Sequence, residues 1–243
     1  MPTYRLDLSY DGSGFHGYAR QPTVRTVQGD LEAVLARVLE PVDTVVAGRT
    51  DAGVHARHQV VSFSTGKPVD PDRLARSLTK LLGPEIVVYA AARAPDDFSA
   101  RFSATRRTYR YRVLNRPYPD PLRRATTWHV RETLDLAAMK RAVGFLVGEH
   151  DFASFCRRRE GASTVRTVLS AGWSARPDDI LELEIAGTAF CHQMVRSIVA
   201  FSVEVGRGRI EPDTTPQILH AMDRNKARGA APPHGLVLWH VEY

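Results

Sequence analysis

Cysteine is nearly absent: Cys156 and Cys191 are the only two in 243 residues. Two thiols are too few for a disulfide framework or a cysteine-ligated zinc centre, so a reducing, cytoplasmic setting is the expectation. Long apolar runs are missing as well. No stretch approaches the ~18 apolar residues of a spanning helix, so no membrane partner is expected. The opening residues, "MPTYRLDLSYDGSGF", alternate and carry Asp7 and Asp11, where a secretory leader would show an unbroken apolar segment. No low-complexity segment or long linker divides the chain. Lysine is scarce: Lys67, Lys80, Lys140 and Lys226 are the only four among 33 cations, and the rest are arginine.

What is present in quantity is positive charge. The formal net charge is +6 and the sequence pI about 9.6, a balance that suits a polyanionic partner. Arginine forks bind phosphate in bidentate fashion and stack on bases. Coding bias would enrich arginine and alanine equally well, so the position of each arginine has to decide.

Hydrophobic periodicity places the elements. "TYRLDLSY" puts Tyr4, Leu6, Leu8 and Tyr10 on one face of a strand. Thr26 caps a helix reaching Leu39, with Leu31, Val34, Leu35 and Val38 as its apolar stripe. "VDTVVA", "HQVVSF" and "IVVYAAA" read as strands. Asp70 and Pro71 open a second helix with Leu74, Leu78, Leu81 and Leu82 apolar, stopped at Gly83. The order then returns. Strand 107–114 carries Tyr109, Tyr111 and Val113 on one face, and helix 136–148 follows. Strands 165–175 and 180–187 are joined by a turn at Pro177, Asp178 and Asp179, with Glu182 and Glu184 pointing outward. Helix 191–206, a short helix near 217–225 and a last strand, "LVLWHVEY", complete the chain. The pattern βαββαβ occurs twice, so the expected class is α+β. Two ferredoxin-like halves, residues 1–105 and 106–243, would join into one extended antiparallel sheet with helices on one face. The arginine-rich stretch 101–112 would lie where they meet.

One loop concentrates the chemistry. "AGRTDAGVHARHQVVSF" holds a single acid, Asp51, among Arg49, His55, Arg57, His58 and two glycines. A carboxylate oriented by a neighbouring arginine can attack an electrophile or take a proton, and equally it can brace a loop as a salt bridge. His55, His58 and His150 suggest a metal hydrolase only weakly, because no third ligand has metal spacing. "RRTYRYRV" interleaves Tyr109 and Tyr111 with Arg110 and Arg112, and such rings either stack on unstacked bases or fill a core. One tyrosine buried and one at a cleft edge is the expected compromise. The run "CRRRE" at 156–160 reads as an exposed, phosphate-contacting loop. His192 and Arg196 are four apart on a helix, and spacing alone makes Arg196 a surface cation. A catalytically silent RNA-binding module would show a K/R-G-F/Y-G/A-F-V-x-F/Y run, which does not occur.

Six segments in this order resemble the tRNA pseudouridine synthase A family: "YDGSGFHGYARQPTVRTVQGDLE", "GRTDAGVHA", "RRTYRYRV", "LVGEHDFASF", "GTAFCHQMVRSIVAFSVEVGRG" and "APPHGLVLWHVEY". Together they span nearly the whole chain. Tyr18 and the Cys191-His192-Gln193 triplet depart from the commoner Trp and Leu-His-His. The resemblance implies isomerisation of uridine to pseudouridine at positions 38, 39 and 40 of the tRNA anticodon stem-loop, without cofactor or metal. It implies a homodimer that binds the anticodon arm in an RNA-binding cleft on the sheet face opposite the helices. By motif, Asp51 is the nucleophile, Tyr109 packs on the target uracil and Arg196 pairs with Asp51. Leu236 lines the pocket, and Arg49 fills the space of the extruded base. This overrides the surface reading of Arg196.

Overall fold

The computed structural model describes residues 1–157, 161–227 and 229–243. The arginine-rich run expected at 156–160 therefore lies largely outside the described residues. The strands are β1 (Thr3–Tyr10), β2 (Val45–Val46), β3 (His55–Ser64), β4 (Ile86–Ala94), β5 (Arg106–Asn115), β6 (Trp128–Val130), β7 (Gly148–Asp151), β8 (Val165–Arg176), β9 (Ile180–Gly187) and β10 (Leu236–Glu242). The helices are α1 (Val27–Val38), α2 (Pro71–Leu82), α3 (Leu136–Gly144), α4 (Met194–Gly206) and α5 (Thr215–His220). The class is α+β. The chain divides into two compact units, one of residues 1–107 with 237–243, the other of residues 108–236.

In the first unit the strand order is β4-β1-β3-β10, with β2 also on β3. Tyr4, Leu6, Leu8 and Tyr10 of β1 are buried as their alternation requires, and Leu6 stands opposite Val61 of β3 and Ala91 of β4. Helix α1 begins where Thr26 Oγ1 accepts from the Gly29 amide, and α2 where Asp70 accepts from the Arg73 amide. Each cap satisfies an otherwise unpaired donor, worth about 1 kcal/mol. Leu31 and Leu35 of α1 and Leu74 and Leu78 of α2 are buried. Val38 and Leu81 are not, at 36% and 44% exposure, so the two apolar stripes are narrower than the sequence pattern.

In the second unit the order is β5-β9-β8-β7, with β6 on β5. Strands β8 and β9 form a hairpin closed by Asp178 and Asp179, both with left-handed φ near +60° (63° and 59°). That is the geometry a tight right-twisting hairpin demands, and aspartate tolerates it better than most residues. Helix α4 is apolar on almost every side and forms the unit's central core element; α3 packs against it.

Three sequence expectations are corrected. The strands are mixed in direction and not wholly antiparallel, since β10 runs parallel to β3 and β6 parallel to β5. Hairpins enforce antiparallel pairing, whereas β10 and β6 arrive by long connections that permit the parallel sense. Helix α4 starts at Met194 and not at residue 191, because Gln193 sits at φ 64° and interrupts helical geometry, so His192 and Arg196 share no helix face. Glu182 alternates with Leu181 and Leu183 as expected but is only 3% exposed and not open to solvent, because arginines cover it.

Candidate active site

Asp51 lies half-buried in the loop 47–54 between β2 and β3, and Arg49 is exposed in the same loop. The peptides around Asp51 are fixed by hydrogen bonds from within the first unit. The Ala47 amide donates to the Val60 carbonyl at 2.9 Å, and Gln59 Nε2 donates to the Gly48 carbonyl at 2.8 Å. The Tyr18 amide donates to the Thr50 carbonyl at 3.0 Å, while the Thr50 hydroxyl meets the Tyr10 hydroxyl at 2.8 Å. On the far side, the Val54 amide closes a turn onto the Asp51 carbonyl at 3.1 Å, and the Gly53 amide donates to Phe15 at 3.3 Å. Gln59 and Tyr18 are fully buried. Burial drives the Tyr18 phenol well above its ordinary pKa, so it stays neutral.

Gly12 shows why "YDGSG" and "GRTDAG" occur together. A Cβ there would sit 2.1 Å from the Val54 carbonyl oxygen, so the residue must be glycine for the two loops to touch. Its lack of a side chain serves contact within the protein.

The histidines do not converge. His55 and His58 are three apart on β3, on either side of an irregularity in its pairing with β1, and each bonds different partners. His55 Nδ1 accepts from the Gly12 amide at 3.1 Å. His58 holds Asp7 through Nε2 at 2.8 Å and faces His240 Nδ1 at 2.6 Å through its own Nδ1. His150 Nε2 contacts the Val147 carbonyl. Among the described residues no group of three His, Cys, Asp or Glu has an arrangement able to hold a metal ion.

Tyr109, Arg196 and Leu236 belong to the second unit. Tyr109 and Tyr111 are both buried, at 7% and 0% exposure, so the expected split of one inside and one at an edge gives way to two inward rings. Tyr109 meets Phe190 edge-on with centroids 5.1 Å apart, an arrangement favoured by ring quadrupoles. Arg196 lies in the first turn of α4. Its Nε donates to the Ala231 carbonyl at 2.7 Å, and the Ala231 amide donates back to the Arg196 carbonyl at 2.9 Å. Next along the chain, the Tyr111 hydroxyl donates to the Pro232 carbonyl at 2.8 Å, and buried Leu236 then opens β10. The structure therefore brings Arg196 together with the segment leading to Leu236, which spacing in the sequence did not reveal. It also adds residues that motif reading missed: Tyr10, Tyr18, Gln59 and Arg107 around the Asp51 loop. Of these, only Gln59, a polar residue inside an apolar strand, carries a signal in the sequence.

Comparison with known proteins identifies the class. The family model described as tRNA pseudouridine synthase matches residues 142–243. A tRNA pseudouridine synthase A from Frankia casuarinae is 49% identical over 242 residues, covering 98% of this chain and 88% of that protein. One from Bacillus subtilis is 41% identical over 243 residues, covering 98% of each, and one from Moorella thermoacetica is 39% identical across the full length of both. An α+β chain with these relatives is an isomerase, a pseudouridine synthase. It belongs to the tRNA pseudouridine synthase A family.

Proposed function

We propose that the chain converts uridine to pseudouridine at positions 38, 39 and 40 of the tRNA anticodon stem-loop, with Asp51 as nucleophile and the target nucleotide flipped out of its stack. The observation that carries this reading is the environment of Asp51, a half-buried carboxylate whose flanking peptides are held on both sides by backbone and buried side-chain hydrogen bonds. A loop so fixed presents its carboxylate at little entropic cost on binding.

In the reaction the N1–C1′ bond breaks, the uracil turns over, a C5–C1′ bond forms and the C5 hydrogen leaves as a proton. Asp51 serves this either by adding to C6, a conjugate acceptor activated by the C4 carbonyl, or by acting at C1′ directly or through a glycal. Arg196 pairs with Asp51 and orients it. Tyr109 packs on the uracil, Leu236 lines the pocket, and Arg49, exposed beside Asp51, occupies the space the base vacates. Extrusion costs a few kcal/mol, offset by stacking and phosphate contacts. The net charge of +6 supports the phosphate contacts. In this reading two ferredoxin-like halves, residues 1–105 and 106–243, join into an extended sheet with helices on one face and an RNA-binding cleft on the other. The enzyme is a cytoplasmic homodimer whose two chains share the anticodon arm.

The test uses a tRNA transcript tritiated at uridine C5, since bond formation at C5 expels that hydrogen into water. Release by wild type and none by Asp51→Asn, with tRNA binding retained, supports the proposal. Binding without release by either protein would reduce Asp51 to a structural residue and the chain to an RNA-binding module.

A further inference from the structure

Both cysteines of the chain lie in the second unit, and three stretches converge on them. Cys156 is 1% exposed just after a short turn at Ala153–Phe155, and Cys191 is half-buried just ahead of α4. The Arg157 amide donates to the His192 carbonyl at 3.0 Å, which ties the backbone next to one cysteine to the backbone next to the other. The Cys191 thiol donates to the Thr164 carbonyl at 3.7 Å, and that carbonyl also accepts from the Phe152 amide at 3.0 Å. The two thiols are close enough for each to perturb the protonation of the other. Arg166 stands beside the pair, and its buried Nε has no hydrogen-bond partner among the described residues. A buried guanidinium donor without a partner next to a sulfur favours negative charge there.

We infer that Cys156 and Cys191 form a hydroperoxide-reactive dithiol that closes to an intrachain disulfide. Interaction with Cys156 comes first among the influences that hold the Cys191 thiol below its usual pKa, and Arg166 adds to it, outweighing burial and the charge of Asp151. The same interaction, with burial, pushes the Cys156 thiol up. Cys191 is the more accessible of the two, and it becomes the attacking thiolate by giving up the proton it holds toward the Thr164 carbonyl. It attacks the hydroperoxide, the O–O bond breaks, and Cys191 becomes a sulfenic acid while hydroxide or alkoxide leaves. The Cys156 sulfur then attacks the Cys191 sulfur, its proton leaves with the hydroxyl as water, and the disulfide forms. Both electrons come from the two sulfurs and go to the peroxide. The bond would tether the residues that lead into α4, two positions before Gln193 and five before Arg196.

Hydrogen peroxide is the probe, applied to the full-length protein. Wild type should lose both thiols to a thiol reagent, lose two hydrogens in intact mass, and yield one linked peptide joining Cys156 to Cys191; dithiothreitol should reverse all three. Cys156→Ser should stop at a sulfenic acid on Cys191 that dimedone traps. Cys191→Leu, chosen to keep the site apolar and with its melting curve compared to wild type, should slow oxidation of Cys156 by at least about tenfold. Thiols that survive excess peroxide in wild type, linkage only between separate chains, or sulfinic acids on both cysteines without a link would each overturn the inference.

Discussion

Arg107 Nε donates to the Ala47 carbonyl at 2.9 Å and so joins the start of β5 to the head of the loop that carries Asp51. Its other nitrogens donate to the carbonyls of Ala104 at 3.3 Å and Arg101 at 2.6 Å. At 7% exposure this is a buried cation that spends its fork on backbone oxygens. Replacing Arg107 with Met removes donors from buried carbonyls, at about 1–3 kcal/mol of unfolding free energy. Urea titration should show that loss, and tritium release should show a lower kcat with KM for tRNA little changed. Arg107→Lys should behave like Met, because an ammonium cannot reproduce the planar fork. Unchanged stability in both variants would mean the brace is dispensable.

Glu182 is the shared counter-charge of three arginines. It accepts from Arg112 at 2.9 Å and from Arg176 at 3.2 Å, and its other contact, to Arg110, is 3.8 Å. Arg110 also donates to Glu184 at 2.7 Å. Glu182→Gln leaves like charges facing one another around a buried amide. Because the arginines are partly exposed, the expected cost is about 1–3 kcal/mol and not the full penalty of a buried broken pair. The melting temperature should fall, and added salt should recover part of the loss. A salt-independent deficit would place the cost in packing.

Gly235 lies against the Tyr111 ring. A Cβ at that position would come 2.6 Å from the ring carbon Cζ and 3.0 Å from the Arg112 carbonyl. Tyr111 has 0% exposure and nowhere to retreat. Gly235→Ala should therefore cost about 1–3 kcal/mol by overpacking and displace the segment that Arg196 holds at Ala231. Tyr111→Phe removes only the bond to Pro232 and should be milder, at about 1 kcal/mol. Equal effects of the two variants would argue against the packing account.

Stability should fall in two stages on acidification. Burial lowers the His240 pKa, and the neighbouring His58 lowers it further, so the fold favours neutral His240. A depressed folded value means the contribution is complete above the unfolded histidine value of about 6.5 and is lost as pH falls below it. At Asp7, burial is outweighed by hydrogen bonds from His58 and Arg5, which hold its carboxyl below the usual range. That contribution is complete above about 3.9 and disappears through the lower folded value. Arg5, Arg57, Tyr89 and Glu242 also face this cluster. In urea titrations across pH, His240→Gln should flatten the upper stage and leave the lower one. An unaltered upper stage would assign it to another group.

Elements with local chemical punctuation were legible. Thr26, Asp70 and Pro71 mark their helices in the sequence because a cap is a contact between neighbours in the chain. Strand β7, "GEHD", was not legible: it has no apolar alternation, and only its register with Val165–Val168 of β8 makes it a strand. Glu182 misled for a related reason. Alternation assigns a carboxylate to solvent, but the arginines that cover it come from other strands. The Asp51 loop stood out through its unusual mixture of one acid, glycines and cations. Its supports did not, since Tyr10, Tyr18 and Arg107 reach it from distant parts of the chain. Arg196 was misread by spacing because its partner, Ala231, lies outside its helix and far along the chain.

Strand β10 gives the enzyme a schedule. Val237 and Leu238 pair with His55 and Ala56, the residues that directly follow the Asp51 loop. A little further on, the Thr105 amide donates to the Glu242 carbonyl at 2.9 Å and the Tyr243 hydroxyl to Ala100 at 2.7 Å. The unit built from residues 1–107 is thus completed by residues 237–243, which are made long after it. Until they arrive, the start of β3 is an open edge, the kind of surface that recruits chaperones or mispairs. A nascent chain that already contains Asp51 therefore stays unfinished around it until residues 237–243 have been made.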